Sequence, residues 1–162
     1  MIKVYTPLTQ VDTKTPTYKV GTRVEIVGGN EYIYLPGVAS CGQFDWVNII
    51  TASALSYGSV TRLDTATAGP VGISQGTPSL TGNTFGWFQI RGVGWGGSGA
   101  VCSTGSPAFA SGTVGLAMTT VDANNGIFGA FCIGTGGCVS GGTGGTAKFV
   151  INYPYNCGMV VT

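Results

Sequence analysis

Nowhere does this 162-residue chain sustain a helical hydrophobic period over ten or more residues. What recurs instead is a short β-branched or aromatic run closed by glycine, proline or asparagine. Gly21-Thr22-Arg23-Val24-Glu25-Ile26-Val27 alternates at period two and ends at Gly28-Gly29-Asn30, after which Glu31-Tyr32-Ile33-Tyr34-Leu35 follows. Two such runs across a Gly-Gly-Asn link predict a β-hairpin. Further strands are expected at 43–50, in the first part of 59–70, at 71–74, 85–91, 112–120, 127–133 and 148–154, with an Asn-Gly turn at 122–126. Residues 51–57 could pass for one or two helical turns before Gly58. The fold class expected is all-β: a single β-sandwich or barrel-like domain of about 8–11 short antiparallel strands with no substantial helix.

Residues 1–19 differ in texture. They carry Thr, Pro7, Pro16, scattered charge and the apolar anchors Ile2, Val4, Tyr5, Leu8, Val11 and Tyr18. They are read as an extended N-terminal arm ahead of one β domain at 20–162. Within that domain Phe85-Gly86-Trp87-Phe88-Gln89-Ile90 is echoed by Phe128-Gly129-Ala130-Phe131-Cys132-Ile133. Two similar β units, 20–92 and 93–162, would explain the echo.

Only 8 % of residues are charged, against roughly 25 % in an average soluble domain. Seven of the thirteen charges fall in residues 1–31, and none occurs in 92–121 or 123–147. Polarity comes instead from 21 Thr, 11 Ser and the backbone of 29 Gly. A net charge of +1 without a basic run provides no footprint for nucleic acid. No apolar stretch reaches the length of a spanning helix, so no membrane partner is expected, although a transmembrane barrel leaves a weak trace per strand. The opening MIKVYTPLTQ lacks the apolar core of a secretory leader. A free monomer ordinarily shows far more surface charge than this chain can supply, so part of its surface is expected to be covered by neighbours, the 92–147 region above all.

Catalytic chemistry is poorly provided for. There is no histidine, which removes the commonest general base and metal ligand. Cys41, Cys102, Cys132, Cys138 and Cys157 form no CxxC pair, and an odd count without a leader suits free thiols in a reducing compartment. Gly72-Ile73-Ser74-Gln75-Gly76 fits the GxSxG elbow, but Ser74 has neither a following helix nor a histidine partner. Gly92-Val93-Gly94-Trp95-Gly96-Gly97 fits GxGxxG, but no helix follows to receive a phosphate, and a tight flat loop is expected. No catalytic, cofactor-binding or metal site is therefore assigned, and no cofactor is expected. The aromatics Trp46, Trp87, Trp95, Tyr32, Tyr34, Tyr57, Tyr153 and Tyr155 could line a sugar-binding face, but aromatics at strand spacing more often serve cores and subunit contacts. Trp95, ringed by glycines, has few local neighbours to bury it and suits insertion into a partner.

The order Gly21-Thr22-Arg23-Val24, Glu31-Tyr32-Ile33-Tyr34 and Asp45-Trp46-Val47 resembles the opening of tailed-bacteriophage head decoration, or capsid-stabilising, proteins. Val71-Gly72-Ile73-Ser74-Gln75, then Phe85-Gly86-Trp87-Phe88-Gln89-Ile90-Arg91-Gly92, and late Val150-Ile151-Asn152-Tyr153-Pro154 continue the resemblance across residues 21–154. The chain departs from the pattern at Phe44, where the family tends to Tyr, and in its long charge-free, glycine-rich distal half. The resemblance implies a non-enzymatic structural virion protein on the outer surface of an icosahedral capsid, assembled in the host cytoplasm. Its implied partners are the major capsid protein and copies of itself, a trimer being favoured over a dimer. Ile2, Val4, Tyr5, Tyr18 and Trp95 are the candidate capsid or subunit contacts. A carbohydrate- or receptor-binding β module of a phage particle is the alternative.

Overall fold

A computed structural model describes residues 8–9, 11–53, 56–76, 84–99, 102–119, 125–134 and 145–157, with only the backbone described at 51–53 and 56–58. Among them are eleven strands and no helix: β1 (Asp12–Thr13), β2 (Arg23–Ile26), β3 (Asn30–Pro36), β4 (Trp46–Ser53), β5 (Ser56–Arg62), β6 (Gly69–Ser74), β7 (Thr84–Ser98), β8 (Pro107–Ala110), β9 (Ala117–Met118), β10 (Gly126–Gly134) and β11 (Gly145–Asn156). The all-β class is as expected. Every pairing is antiparallel except β7 with β9.

The expected hairpin is β2–β3, with Glu25 opposite Glu31 and the left-handed Gly28 and Gly29 in its link. Elsewhere local patterning misleads. The described residues of 51–57 hold no helix turn: 51–53 belong to β4 and 56–57 to β5, which pair antiparallel. The 112–120 strand shrinks to Ala117–Met118, while Pro107–Ala110, unmarked by any long apolar run, becomes β8. The expected Asp122–Gly126 turn lies largely outside the described residues.

The fifteen-residue β7 organises the domain. Its first half pairs with β3 and β6, and with β4 and β5 beyond β6 these strands surround a core of Ile33, Leu35, Val47, Ile49, Val60, Phe88 and Ile90. Its second half belongs to a closed ring of pairings, β7–β11–β10–β8–β9–β7, around Phe149, Ile151, Ile127, Ala130 and Cys132. Trp46 reaches this second core from β4, and its ring meets Phe149 edge-on at 5.0 Å. A register shift between Glu31 and Tyr32 on β3, opposite Arg91 and Gln89, marks a β-bulge where β7 passes from one half to the other. Gly92 sits there at φ +98°, and a Cβ would fall 1.9 Å from Asn30 Oδ1, the atom that accepts the Val93 amide at 2.8 Å.

Part of the N-terminal arm is received by the chain's own sheet. β1 pairs with Thr84 and Phe85, and Leu8 and Tyr18 pack on Val24, Tyr32, Tyr34 and Trp87. Tyr34 donates to Asp12 Oδ2, which also accepts the Thr17 amide at 3.0 Å.

Candidate functional site

The Gly92–Gly97 run is not the loop its composition suggests. It is the second half of β7, and its glycines face inward because other side chains occupy the space a Cβ would need. At Gly94 a Cβ would meet Gln89 Oε1 at 2.0 Å, and at Gly96 it would meet Trp46 Nε1 at 2.6 Å. The alternate residues Val93 and Trp95 consequently point outward, 40 % and 46 % exposed.

β11 and β10 extend this outer face. Val93 lies opposite Val150, and Val150 opposite Phe131; Trp95 lies opposite Lys148, and Arg91 opposite Asn152. On β10, Phe131 and Ile133 are exposed while Ala130 and Cys132 between and beside them are buried. Gly129, at φ +76°, forms a bulge, and beyond it Phe128 pairs with Tyr155, 67 % and 47 % exposed. Phe128 and Phe131 share an apolar cavity of ≈ 230 Å³ with Pro107, Ala108 and Phe109. Phe128, Phe131, Ile133, Val93, Trp95 and Tyr155 thus make a continuous apolar face that carries the charges of Lys148 and Arg91. Of the other exposed large hydrophobics, Val27 and Val114 stand apart from these three strands, whereas Ile50 lines a pocket with Tyr155.

One border of the face is polar. Tyr153 donates to Glu31 Oε2 at 2.5 Å, and Arg23 lies 3.5 Å from the same carboxylate. The Glu31 hydrogen bond raises the Tyr153 phenol above its ordinary value, with Arg91 opposing. Beside this border a ≈ 260 Å³ apolar groove runs past Arg23, Ile90, Pro70, Tyr153 and Tyr155.

The sequence candidates separate in space. Trp95 lies on the outer face. Tyr18 is half-buried, with ring contacts to Tyr34 at 5.4 Å and Trp87 at 5.2 Å, so much of its surface is used within the chain. Trp87 and Trp95 are eight residues apart on β7, about 26 Å at strand rise. Tyr18 and Trp95 are therefore not brought together. Ile2, Val4 and Tyr5 lie outside the described residues. Of the aromatics that could line a sugar-binding face, Trp46, Trp87, Tyr32 and Tyr34 are core residues; Trp95, Tyr153 and Tyr155 are exposed.

Ser74 is fully buried at the end of β6 and donates to the Gly76 carbonyl at 2.9 Å. Cys41, Cys102 and Cys132 are buried and Cys157 is half-buried, none of them in a disulfide, and burial pushes the Cys41 thiol up to about 11. Among the described residues no three His, Cys, Asp or Glu side chains gather as a metal site. The best-placed ion pair is Arg62 Nε on Asp45 Oδ2 at 2.9 Å, which also accepts the Gly42 amide at 2.9 Å and ties β5 to the loop before β4.

What sequence reading missed on the face is Phe128, Phe131, Ile133, Val93 and Val150; Tyr155 is among the candidate aromatics. A signal was present: Lys148-Phe149-Val150-Ile151 and Phe131-Cys132-Ile133 are apolar on both strand parities, and one parity has no core to enter. Comparison with protein-family models, curated proteins and solved structures finds no match to this chain.

Proposed function

We propose that this chain is a non-enzymatic structural virion protein, a head decoration subunit that binds the outer surface of an icosahedral phage capsid and stabilises it. The observation that carries the reading is the outer face of β7, β11 and β10: a broad apolar surface with only Lys148 and Arg91 as charges, in a chain with few charges to keep it in solution alone. Such a surface has low free energy only when covered, and a crowded shell covers it. Many copies on a lattice also gain by avidity, so each contact can be weak. The sequence resemblance over 21–154 supplies the kind of shell. The charged N-terminal end and arm remain to meet the major capsid protein.

The test is co-sedimentation of the purified chain with heads of the phage that encodes it. Saturable pelleting at a fixed copy number per head, with heads made more resistant to heat or chelator, is expected. A chain that stays in the supernatant at all concentrations contradicts the proposal. The exposed indole of Trp95, beside Lys148, favours glycan or receptor binding as the second reading. Specific retention on a glycan array, lost in Trp95→Ala, would select that reading.

A further inference from the structure

We infer that the occupant of the β7–β11–β10 face is a second copy of this chain, related by a two-fold axis lying in the interface along the Phe131–Val150–Val93 row. This rests on the reading that the face is covered in the working state, and it names what covers it.

The exposed area of the face suits a second copy. A large aromatic carries about 150–250 Å² of surface. Phe128, Phe131, Trp95 and Tyr155, each about half exposed or more, therefore present about 400 Å², and Val93 and Ile133 bring the total to about 500 Å². That is at the upper end for the largest patch of an ordinary monomer. It is also more than half of the roughly 800 Å² that each partner buries in a stable pair. Val150, the Lys148 stem and Asn152 lie in the same rows and contribute to the rest.

Symmetry points the same way. A cyclic trimer needs two different, mutually complementary patches on each subunit, whereas a two-fold pair needs one self-complementary patch. Among the described residues the exposed large hydrophobics gather on one face, and the remainder are scattered. One patch fits a pair. The pairing so inferred is a sheet-on-sheet contact of the kind that builds β-sandwiches.

Charge register points to the axis. An axis running along β11 would set Lys148 against the partner's Lys148 and repel. An axis across the strands, along the Phe131–Val150–Val93 row, exchanges the rows on either side of it. Trp95 and Lys148 stand on one side, Arg91 and Asn152 on the other, all by direct register. Trp95 then faces the partner's Arg91, and Lys148 faces the partner's Asn152. A guanidinium over an indole is attractive, and the two lysines are kept apart. The same cation–indole contact occurs twice, as an isologous interface requires.

The test is sedimentation equilibrium of the full chain without capsids, up to about 100 μM, a range that captures any affinity from micromolar upward. Twice the chain mass is expected. Val150→Asp, on the axis, should give a monomer with an unchanged circular dichroism spectrum. Trp95→Ala and Arg91→Ala, both solvent-exposed and safe for folding, should each weaken dimerisation about tenfold or more. Val27→Asp, on the β2–β3 link away from the face, should leave the dimer intact. A wild-type monomer, a trimer, or a dimer indifferent to Val150→Asp and Trp95→Ala overturns the inference. These outcomes are separable from the virion role: a monomer that still pellets with heads sinks the dimer alone, and a dimer that never pellets sinks the virion role alone.

Discussion

The indole Nε1 of Trp46 donates to the carbonyl of Gly97 at 3.1 Å, passing directly beneath Gly96. The bond joins β4 to the second half of β7, and so joins the two cores. It exists only because β7 carries no Cβ at position 96. Trp46 is fully buried, and its single polar atom would otherwise be an unpaired donor in an apolar core.

Gly96→Ala therefore places a methyl 2.6 Å from a rigid, buried ring nitrogen. A loss of about 1–3 kcal/mol is expected from overpacking, read as a lower urea midpoint with an unchanged slope. Gly112→Ala, where a Cβ meets nothing within 4 Å, is the matched control and should change stability little.

Phe149→Ala removes the ring that meets Trp46 edge-on at 5.0 Å in the centre of the second core. The expected cost is about 3–5 kcal/mol, in the range of buried aromatic deletions. Thermal unfolding should drop accordingly, and tryptophan fluorescence should shift as Trp46 meets water.

Arg62→Met should destabilise by roughly 1–3 kcal/mol at neutral pH, because it strips the Asp45 carboxylate of a charged partner. Burial raises the Asp45 pKa, while the Gly42 amide and Arg62 oppose that rise. A group raised in the folded state contributes stability below its unfolded value and loses it as pH climbs through the folded value. Without Arg62 the folded value rises further, so the Arg62→Met penalty should shrink on acidification toward pH 3. A penalty independent of pH would mean that Arg62 acts through packing against Gly115 instead.

Cys41 offers the converse alkaline test. Burial raises its thiol from 9.0 to about 11, so its contribution is complete below pH 9 and is lost between pH 9 and 11. The wild type should lose more stability across that window than Cys41→Ala does. Iodoacetamide at pH 8 should leave Cys41 unmodified in the folded protein and alkylate it in urea.

Local chemistry made part of this legible in advance. The period-two run 21–27 and its Gly-Gly-Asn link announced β2–β3, and short β-branched or aromatic runs announced β6 and β11, because those signals are set by near neighbours. The Gly92–Gly97 run was misleading because its glycines answer to Trp46 and Gln89, partners that only the folded chain brings under β7. The echo between 85–90 and 128–133 shows the same limit. Phe88 is buried on β7, whereas its counterpart in the echo, Phe131, is exposed on β10. Composition marked the distal half as needing a cover, but only register could show which side chains share one face. Tyr18 stood out as an arm anchor, and its place against Tyr34 and Trp87 depends on how the arm folds back on β7.

The central claim, that this face is covered in an assembled particle, is tested most directly by hydroxyl-radical footprinting of purified virions with mass spectrometry. The free Val150→Asp chain serves as the exposed reference. The account predicts that the chain is present in the particle and that Trp95, Phe128 and Phe131 are strongly protected there relative to the reference, while Val27, fully exposed on the β2–β3 link, is oxidised in both. A chain absent from the virion, or Trp95 and Phe131 oxidised as fast in the particle as in the reference, would contradict it.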